Sequence, residues 1–143
     1  MQVRQISVFM ENRAGRLQEI TKIIADAGIN IRALALADTS DFGILRLIVN
    51  KPDETLKILR DAGFTIRENT VIACAVHDQP GGLNKILRVL SDANISVEYM
   101  YGFVEKNADE AVMVIRVEDT EKAISTLLDN DVKLLKGEQI YSM

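Results

Sequence analysis

The sequence contains few of the residues that carry most protein chemistry. Among 143 residues there are one cysteine, Cys74, one histidine, His77, and no tryptophan. A disulfide framework is therefore excluded, and a Cys/His metal site or catalytic pair has too few candidate residues. No Ser/His/Asp set or paired-carboxylate pattern stands out. The sequence predicts a protein that is not an enzyme and that holds neither a metal nor a cofactor.

Other absences limit the class of protein and its location. With 8 glycines and 2 prolines, the chain is neither collagen-like nor of low complexity. It has no apolar run of 18 residues, and its first residues do not form a signal peptide. We therefore expect a cytoplasmic protein that does not associate with a membrane. The 17 basic and 21 acidic residues give a net charge of −4, which argues against a nucleic-acid partner.

What the sequence does contain is an internal repeat. Residues 11–17 read ENRAGRL and residues 77–83 read HDQPGGL, so that Gly15 corresponds to Gly81. The same offset of 66 residues pairs apolar residues before and after this motif. The match is too evenly spread to be a single chance word.

The repeat divides the chain into two predicted domains. Residues 1–68 form repeat one and residues 69–143 form repeat two. Towards the end of each repeat the offset becomes 68, because repeat two carries two extra residues in a predicted hairpin around residues 106–110. Each repeat therefore has about half of a chain whose total length suits one ordinary domain.

Hydrophobic periodicity and turn residues predict the same order of elements in each repeat. In repeat one the predicted elements are a strand at 3–10, a helix at 17–27, strands at 29–37 and 44–49, a helix at 52–62 and a strand at 64–68. In repeat two they are a strand at 71–76, a helix at 82–93, strands at 95–104 and 111–117, a helix from 120, a strand at 132–136 and a tail strand at 139–141. This βαββαβ order predicts an α+β fold of two ferredoxin-like units, each an antiparallel sheet with helices on one face, joined side by side.

Both repeats resemble a known family. In repeat one, ENRAGRL is followed at residues 27–31 by AGINI, and in repeat two HDQPGGL is followed at residues 93–97 by ANISV. Within a βαββαβ order, this pattern resembles the ACT domain, a small amino-acid-binding regulatory module. The resemblance covers the whole chain as two tandem copies.

The resemblance implies a non-catalytic protein that senses a small amino acid. In such modules the ligand lies between the first loop and helix of one domain and the second strand of a partner domain, and edge strands pair side by side, which implies a homodimer. The ligand-binding residues that it implies are Asn12, Arg13, Ala14, Gly15, Arg16, Leu17, Asn30 and Ile31 in repeat one. In repeat two they are Asp78, Gln79, Pro80, Gly81, Gly82, Leu83, Ser96 and Val97.

The physical chemistry of these residue types suits an amino-acid ligand. Glycine lets the backbone approach a ligand closely, and the N–H groups at the start of a helix receive a carboxylate. Asn12 and Asn30 match two asparagines that bind serine in phosphoglycerate dehydrogenase-type ACT domains, but Met10 stands where those domains have a histidine. Asn12 and Asp78 are also good helix-capping residues, so that capping alone would explain them. Arg16 either contacts a ligand carboxylate or points into water.

Two other classes of function remain as alternatives. The first is an interaction protein: the regulatory subunit of an amino-acid biosynthetic enzyme such as acetolactate synthase. The second is an enzyme on the same fold, such as an acylphosphatase, for which Asn12 with Arg13 or Arg16 is a weak match that Gln79 and Gly82 do not repeat. An RNA-recognition module would need aromatic residues on its central strands, and the strands predicted at 44–49 and 111–117 have none.

Overall fold

A computed structural model describes residues 1–38, 41–104 and 109–143, with the side chains of Asp38 and Val104 left out. The chain separates into two compact units. The N-terminal unit contains Arg4–Asn69 with Ile140–Met143, and the C-terminal unit contains Thr70–Gln139 with Met1–Val3. Most of the hairpin turn predicted around residues 106–110 lies outside the described residues.

The order of elements follows the prediction in each repeat. Repeat one contains β1 (Gln2–Glu11), α1 (Arg16–Asp26), β2 (Ile31–Asp38), β3 (Phe42–Val49), α2 (Pro52–Asp61) and the first part of β4 (Thr65–His77). Repeat two contains the rest of β4, then α3 (Gly82–Asp92), β5 (Val97–Val104), β6 (Glu110–Val117), α4 (Thr120–Asp129), β7 (Leu134–Leu135) and α5 (Gly137–Tyr141). The α+β class and the two βαββαβ units are confirmed.

The strands of each unit have the split βαβ order. In the N-terminal unit the order is β2-β3-β1-β4, and β3 pairs antiparallel with both β1 and β2. In the C-terminal unit it is β5-β6-β4-β7, with β6 antiparallel to both β4 and β5. Strands β2 and β5 are therefore edge strands of their units.

Each unit has its own hydrophobic core between helices and sheet. In the N-terminal unit it includes Ile6, Val8, Ile20, Leu45 and Leu59, each at most 1% exposed. In the C-terminal unit it includes Ile72, Leu90, Ile115, Ala123 and Leu127, also at most 1% exposed. Alternate residues of β1 point to the core of the N-terminal unit and alternate residues of β4 to that of the C-terminal unit, as a strand with one face against helices requires.

The four long helices end in the same way. The N–H of Gly28 donates to the Ala25 oxygen at 2.9 Å and that of Ile29 to the Ile24 oxygen at 3.2 Å, which is a Schellman motif. The residue in the left-handed conformation is Gly28 after α1 and Gly63 after α2. In repeat two the equivalent residues are Asn94 and Asp131, each with φ of 59°. The prediction that Gly28 caps the first helix is confirmed.

The structure corrects the prediction at two places. The strands predicted at 64–68 and 71–76 form one continuous strand, β4. The tail strand predicted at 139–141 is wrong, because residues Gly137–Tyr141 form the short helix α5. The side chain of Gln139 accepts from the Lys136 N–H at 2.8 Å, and Ile140 is fully buried. This local hydrogen bond and the burial of one apolar side chain favour a helical turn over an exposed strand.

Candidate functional site

The first loops of the two repeats, residues 12–15 and 78–81, are held by equivalent backbone hydrogen bonds. In repeat one the Asn12 N–H donates to the Asp41 oxygen at 3.0 Å, and the Glu19 N–H to the Gly15 oxygen at 2.9 Å. In repeat two the equivalent bonds are Asp78 to Asp109 at 3.0 Å and Lys85 to Gly81 at 3.1 Å. The two loops therefore share these backbone hydrogen bonds, although their side chains differ.

Each loop ends on a glycine that begins a helix. Gly15 has φ of 88° and Gly81 has φ of 87°, in the left-handed region that favours glycine. These two glycines are the N-cap residues and have no side chain with which to cap the helix. Neither Asn12 nor Asp78 therefore occupies the N-cap position. A helix start presents backbone N–H groups that point out of the helix, here at an exposed loop.

Gly82 is held in close contact with the end of β4. A Cβ at this position would lie 2.2 Å from the carbonyl oxygen of His77, far inside van der Waals contact. The same oxygen accepts from the Gln79 N–H at 2.8 Å, so it is held in place by the loop. The loop of repeat two thus requires glycine at a position where repeat one has Arg16.

The repeat-one corner is a depression beside the first loop that includes Phe9, Phe42, Phe64 and Arg16 in its wall. The guanidinium of Arg16 lies 4.7 Å from the centre of the Phe64 ring and 2.9 Å from a carboxylate oxygen of Glu19. The interpretation that Arg16 points into water is wrong, because its side chain is only 21% exposed. Arg16 is a wall of this corner, and its charge is paired within its own helix.

The repeat-two corner is the equivalent depression beside the second loop, with a volume of about 250 Å³. Of the residues named from sequence, it brings together Gln79, Pro80, Gly81 and Gly82. It also contains charged residues that the sequence reasoning did not select: Lys85, Glu110, Asp131 and Lys133. Lys133 and Glu110 form an ion pair across it at 3.1 Å.

The signal for these missed residues lay in the repeat itself. The offset aligns Lys85 with Glu19 and Asp131 with Gly63, so that the two corners differ in charge at equivalent positions. The loop motif does not include these positions, which come from three separate segments of the chain. Only the fold shows that these segments meet.

The strand residues named from sequence lie away from the loops of their own unit. Asn30 and Ile31 are at the start of β2, where Ile31 pairs with Val49, whereas the end of β1 by the loop pairs with Phe42. The length of β3 between Phe42 and Val49 is about 23 Å. Ser96 and Val97 are likewise at the end of the sheet remote from loop 78–81.

The remaining residues named from sequence lie on or next to the loops. Six of them are exposed: Asn12, Arg13, Ala14, Asp78, Gln79 and Pro80. Leu17 and Leu83 are partly buried against the core of their own unit. The backbone of Asn30 is held by Asn50, whose side-chain oxygen accepts from the Asn30 N–H at 3.0 Å, while Asn30 itself is exposed.

Cys74 lies in the middle of β4 and is fully buried, as the sequence predicts. Burial raises the pKa of its thiol from 9.0 to about 12, because a thiolate would lose its hydration there. The thiol is therefore protonated and inert in the native protein.

This burial has a measurable consequence. We expect Cys74 to react with a disulfide reagent at pH 8 only after denaturation. Because only the unfolded thiol ionises between about pH 9 and 12, the thiol lowers the free energy of unfolding as pH rises through this range. Urea titrations of the wild type and Cys74→Ala, compared from pH 8 to 11, measure the effect. Equal pH dependence of the two proteins, or rapid native labelling, would contradict it.

Within residues 1–38, 41–104 and 109–143, no group of three or more His, Cys, Asp or Glu side chains is arranged to hold a metal ion. In that part of the chain every helix is too short and too polar to cross a lipid bilayer.

The family profile described as an ACT domain pair matches residues 1–143. The chain belongs to the ACT domain pair family. A crystal structure of a protein from Bacteroides thetaiotaomicron is similar to this ACT domain pair, with a TM-score of 0.94 and 39% identity. The alignment covers 100% of this chain and 98% of that protein. No curated protein sequence matches the chain.

More distant structures share the fold of this ACT domain pair. The ligand-free regulatory subunit of aspartate kinase from Thermus thermophilus has a TM-score of 0.63 at 14% identity, over 88% of this chain and 91% of that one. The corresponding subunit from Thermus flavus has a TM-score of 0.60 at 14% identity, over 88% and 90%. At these identities the similarity establishes the fold alone.

Proposed function

We propose that this ACT domain pair is a non-catalytic regulatory protein that binds a small amino acid. The observation that carries the proposal is the first loop of each repeat, where an exposed glycine of positive φ is the N-cap residue of the following helix. Such a helix start receives a carboxylate, through its free N–H groups and the helix dipole. Every free amino acid offers that group.

The proposed contacts of a site between domains fall into two groups. One is a first loop, residues 12–17 or 78–83, and the other is a strand start, at Asn30 and Ile31 or at Ser96 and Val97. Within one unit these groups are at opposite ends of the sheet. A site that uses both groups therefore takes its loop from one domain and its strand from another, which supports a homodimer as part of this proposal.

Regulation would follow from a shift in population between arrangements of the domains. A ligand that contacts two domains favours the arrangement in which both contacts are made, by its difference in affinity for the two states. A partner enzyme that recognises one arrangement would then respond to the amino acid. We propose a cytoplasmic location and two domains, residues 1–68 and 69–143, as parts of the same interpretation.

The first test is a screen of the twenty protein amino acids by thermal unfolding. We expect at least one to stabilise the protein, by about 2.7 kcal/mol at a concentration of 100 Kd. The reason is that a ligand of the native state alone shifts the folding equilibrium by mass action. The D-enantiomer of the best ligand serves as the control, and no shift with any of the twenty would contradict the proposal.

A second candidate function is that of an interaction protein, a regulatory subunit of an amino-acid biosynthetic enzyme such as acetolactate synthase. Leu34 and Leu36, on edge strand β2, are 51% and 48% exposed, and apolar side chains on an edge strand suit a protein partner. Purification with an enzyme at fixed stoichiometry, with no effect of amino acids on the isolated chain, would favour this function over the first.

A further inference from the structure

The two corners occupy equivalent positions and have different charges. In the repeat-one corner the cation is Arg16, which is paired with Glu19. In the repeat-two corner, glycine replaces that arginine and Lys85 replaces Glu19. Among the residues that the structure describes, Lys85 has no ion-pair partner. The repeat-two corner therefore contains an ammonium group that forms no ion pair with any described residue of the chain.

Asp131 adds an anion to the same cavity. It occupies the left-handed position after α4, with φ of 59°, where repeat one has Gly63 with φ of 88°. An aspartate in this conformation costs free energy relative to glycine, although less than most residues. Asp131 lines the cavity and, within the described part of the chain, forms no ion pair. Repeat two thus has a carboxylate where the backbone conformation alone would favour glycine.

We propose that the repeat-two corner binds a free α-amino acid within a single unit, with Lys85 contacting its carboxylate and Asp131 its ammonium group. This inference rests on the proposed function for its ligand, a free amino acid, and replaces the loop-and-strand site between domains with a site in one unit. Among the described residues, the cavity presents one charge of each sign that forms no ion pair, and a zwitterion of amino-acid size complements both. The repeat-one corner lacks both unpaired charges and does not bind the ligand.

This site differs from a loop-and-strand site in what it needs. Its lining comes from the end of β4, the loop and start of α3, the start of β6 and residues 131–133. All of these segments belong to the C-terminal unit, and none of the described residues of the edge strand β5 lines the cavity. Binding therefore requires neither Asn30 nor a second domain.

Two substitutions test the proposal by installing the residue that repeat one carries. Lys85→Glu copies Glu19, and Asp131→Gly copies Gly63. We expect each to weaken binding of the best amino acid from the screen by about 10- to 100-fold in isothermal titration calorimetry, as loss of a hydrogen bond to a charged group implies. Asp131→Gly should leave the thermal midpoint unchanged or raise it, because glycine adopts the left-handed conformation without strain.

Matched controls separate loss of binding from loss of structure. Asn94→Gly also places glycine at a left-handed position, at the end of α3. Arg88→Glu makes the same change of charge as Lys85→Glu, three residues after Lys85. Neither residue lines the repeat-two corner, so we expect both variants to bind as the wild type does. Circular dichroism and urea unfolding should show that all four variants are folded.

Derivatives of the ligand test which of its two charged groups Lys85 and Asp131 each contact. The N-acetyl derivative of the same amino acid lacks the ammonium group, so its weaker binding should not fall further in Asp131→Gly. The carboxamide derivative lacks the carboxylate, so its binding should not fall further in Lys85→Glu. Equal losses for the derivatives and the parent amino acid would overturn the proposed contacts.

One further variant distinguishes the two sites. Affinity lost in Asn30→Ala but kept in Lys85→Glu and Asp131→Gly would place the ligand at a loop-and-strand site, overturning this inference and leaving the proposed function in place. If no amino acid binds the wild type, the proposed function fails and the inference fails with it.

Discussion

Gly82→Ala is expected to lower the free energy of unfolding by about 3 kcal/mol, at the upper end of the cost of overpacking. The new Cβ would lie 2.2 Å from the His77 carbonyl oxygen. That oxygen cannot retreat cheaply, because the Gln79 N–H donates to it and His77 pairs with Glu110 in the sheet. The strain must be relieved by moving the end of β4 or the start of α3. Equilibrium unfolding in urea measures the change in the free energy of unfolding.

Gly102→Ala is the matched control for this prediction. Its Cβ would also meet an atom at short distance, the sulfur of Met113 at 2.5 Å. The sulfur is near the end of a flexible side chain, which can change rotamer, so we expect a loss below about 1 kcal/mol. Similar losses for the two variants would show that the backbone contact of Gly82 is not what restricts that position.

Leu127→Ala is expected to lower the free energy of unfolding by about 2–5 kcal/mol, which is the range for large-to-small substitutions in a core. Leu127 is fully buried in the core of the C-terminal unit, and Leu59 holds the equivalent position in the N-terminal unit. Alanine in either place removes apolar surface and leaves a cavity. We therefore expect a loss of the same size from Leu59→Ala, again measured by urea unfolding.

The neighbouring residue on α4 provides the control. Leu128 is 43% exposed, so that Leu128→Ala should change the free energy of unfolding by no more than about 0.5 kcal/mol. The two leucines are adjacent in sequence and share a helix, which cancels differences in helix propensity. A large loss from Leu128→Ala would mean that this side chain is covered in solution.

Local features of the sequence predicted most of the fold. Helix ends marked by Gly28 and Gly63 are recognisable because glycine is the most frequent residue in the left-handed position after a helix. The repeat strengthened each assignment, since two independent stretches of sequence gave the same order of elements. The tail helix was missed because it has a single buried apolar residue, Ile140, and five residues are too few to show a period.

Less of the candidate site could be predicted. The loop motif was found from sequence, but the roles of its side chains were not: Gly15 and Gly81, not Asn12 and Asp78, are the N-cap residues, and Arg16 packs on Phe64. A motif defines the path of the backbone, whereas the partner of a side chain depends on which distant segment lies beside it. Arg16 and Phe64 are separated by nearly the whole of repeat one.

The sequence by itself determined that this chain is two copies of one βαββαβ unit with matching loops, because periodicity, turn residues and repeat offset are local properties of the chain. The sequence also shows that the two copies differ at loop positions such as Asn12 and Asp78. Only the tertiary structure decided that Lys85 and Asp131, which are remote in sequence, line one cavity, because the start of α3 and the turn after α4 both lie beside β4. Electrostatic complementarity depends on such distances through space, which a repeat pattern does not contain.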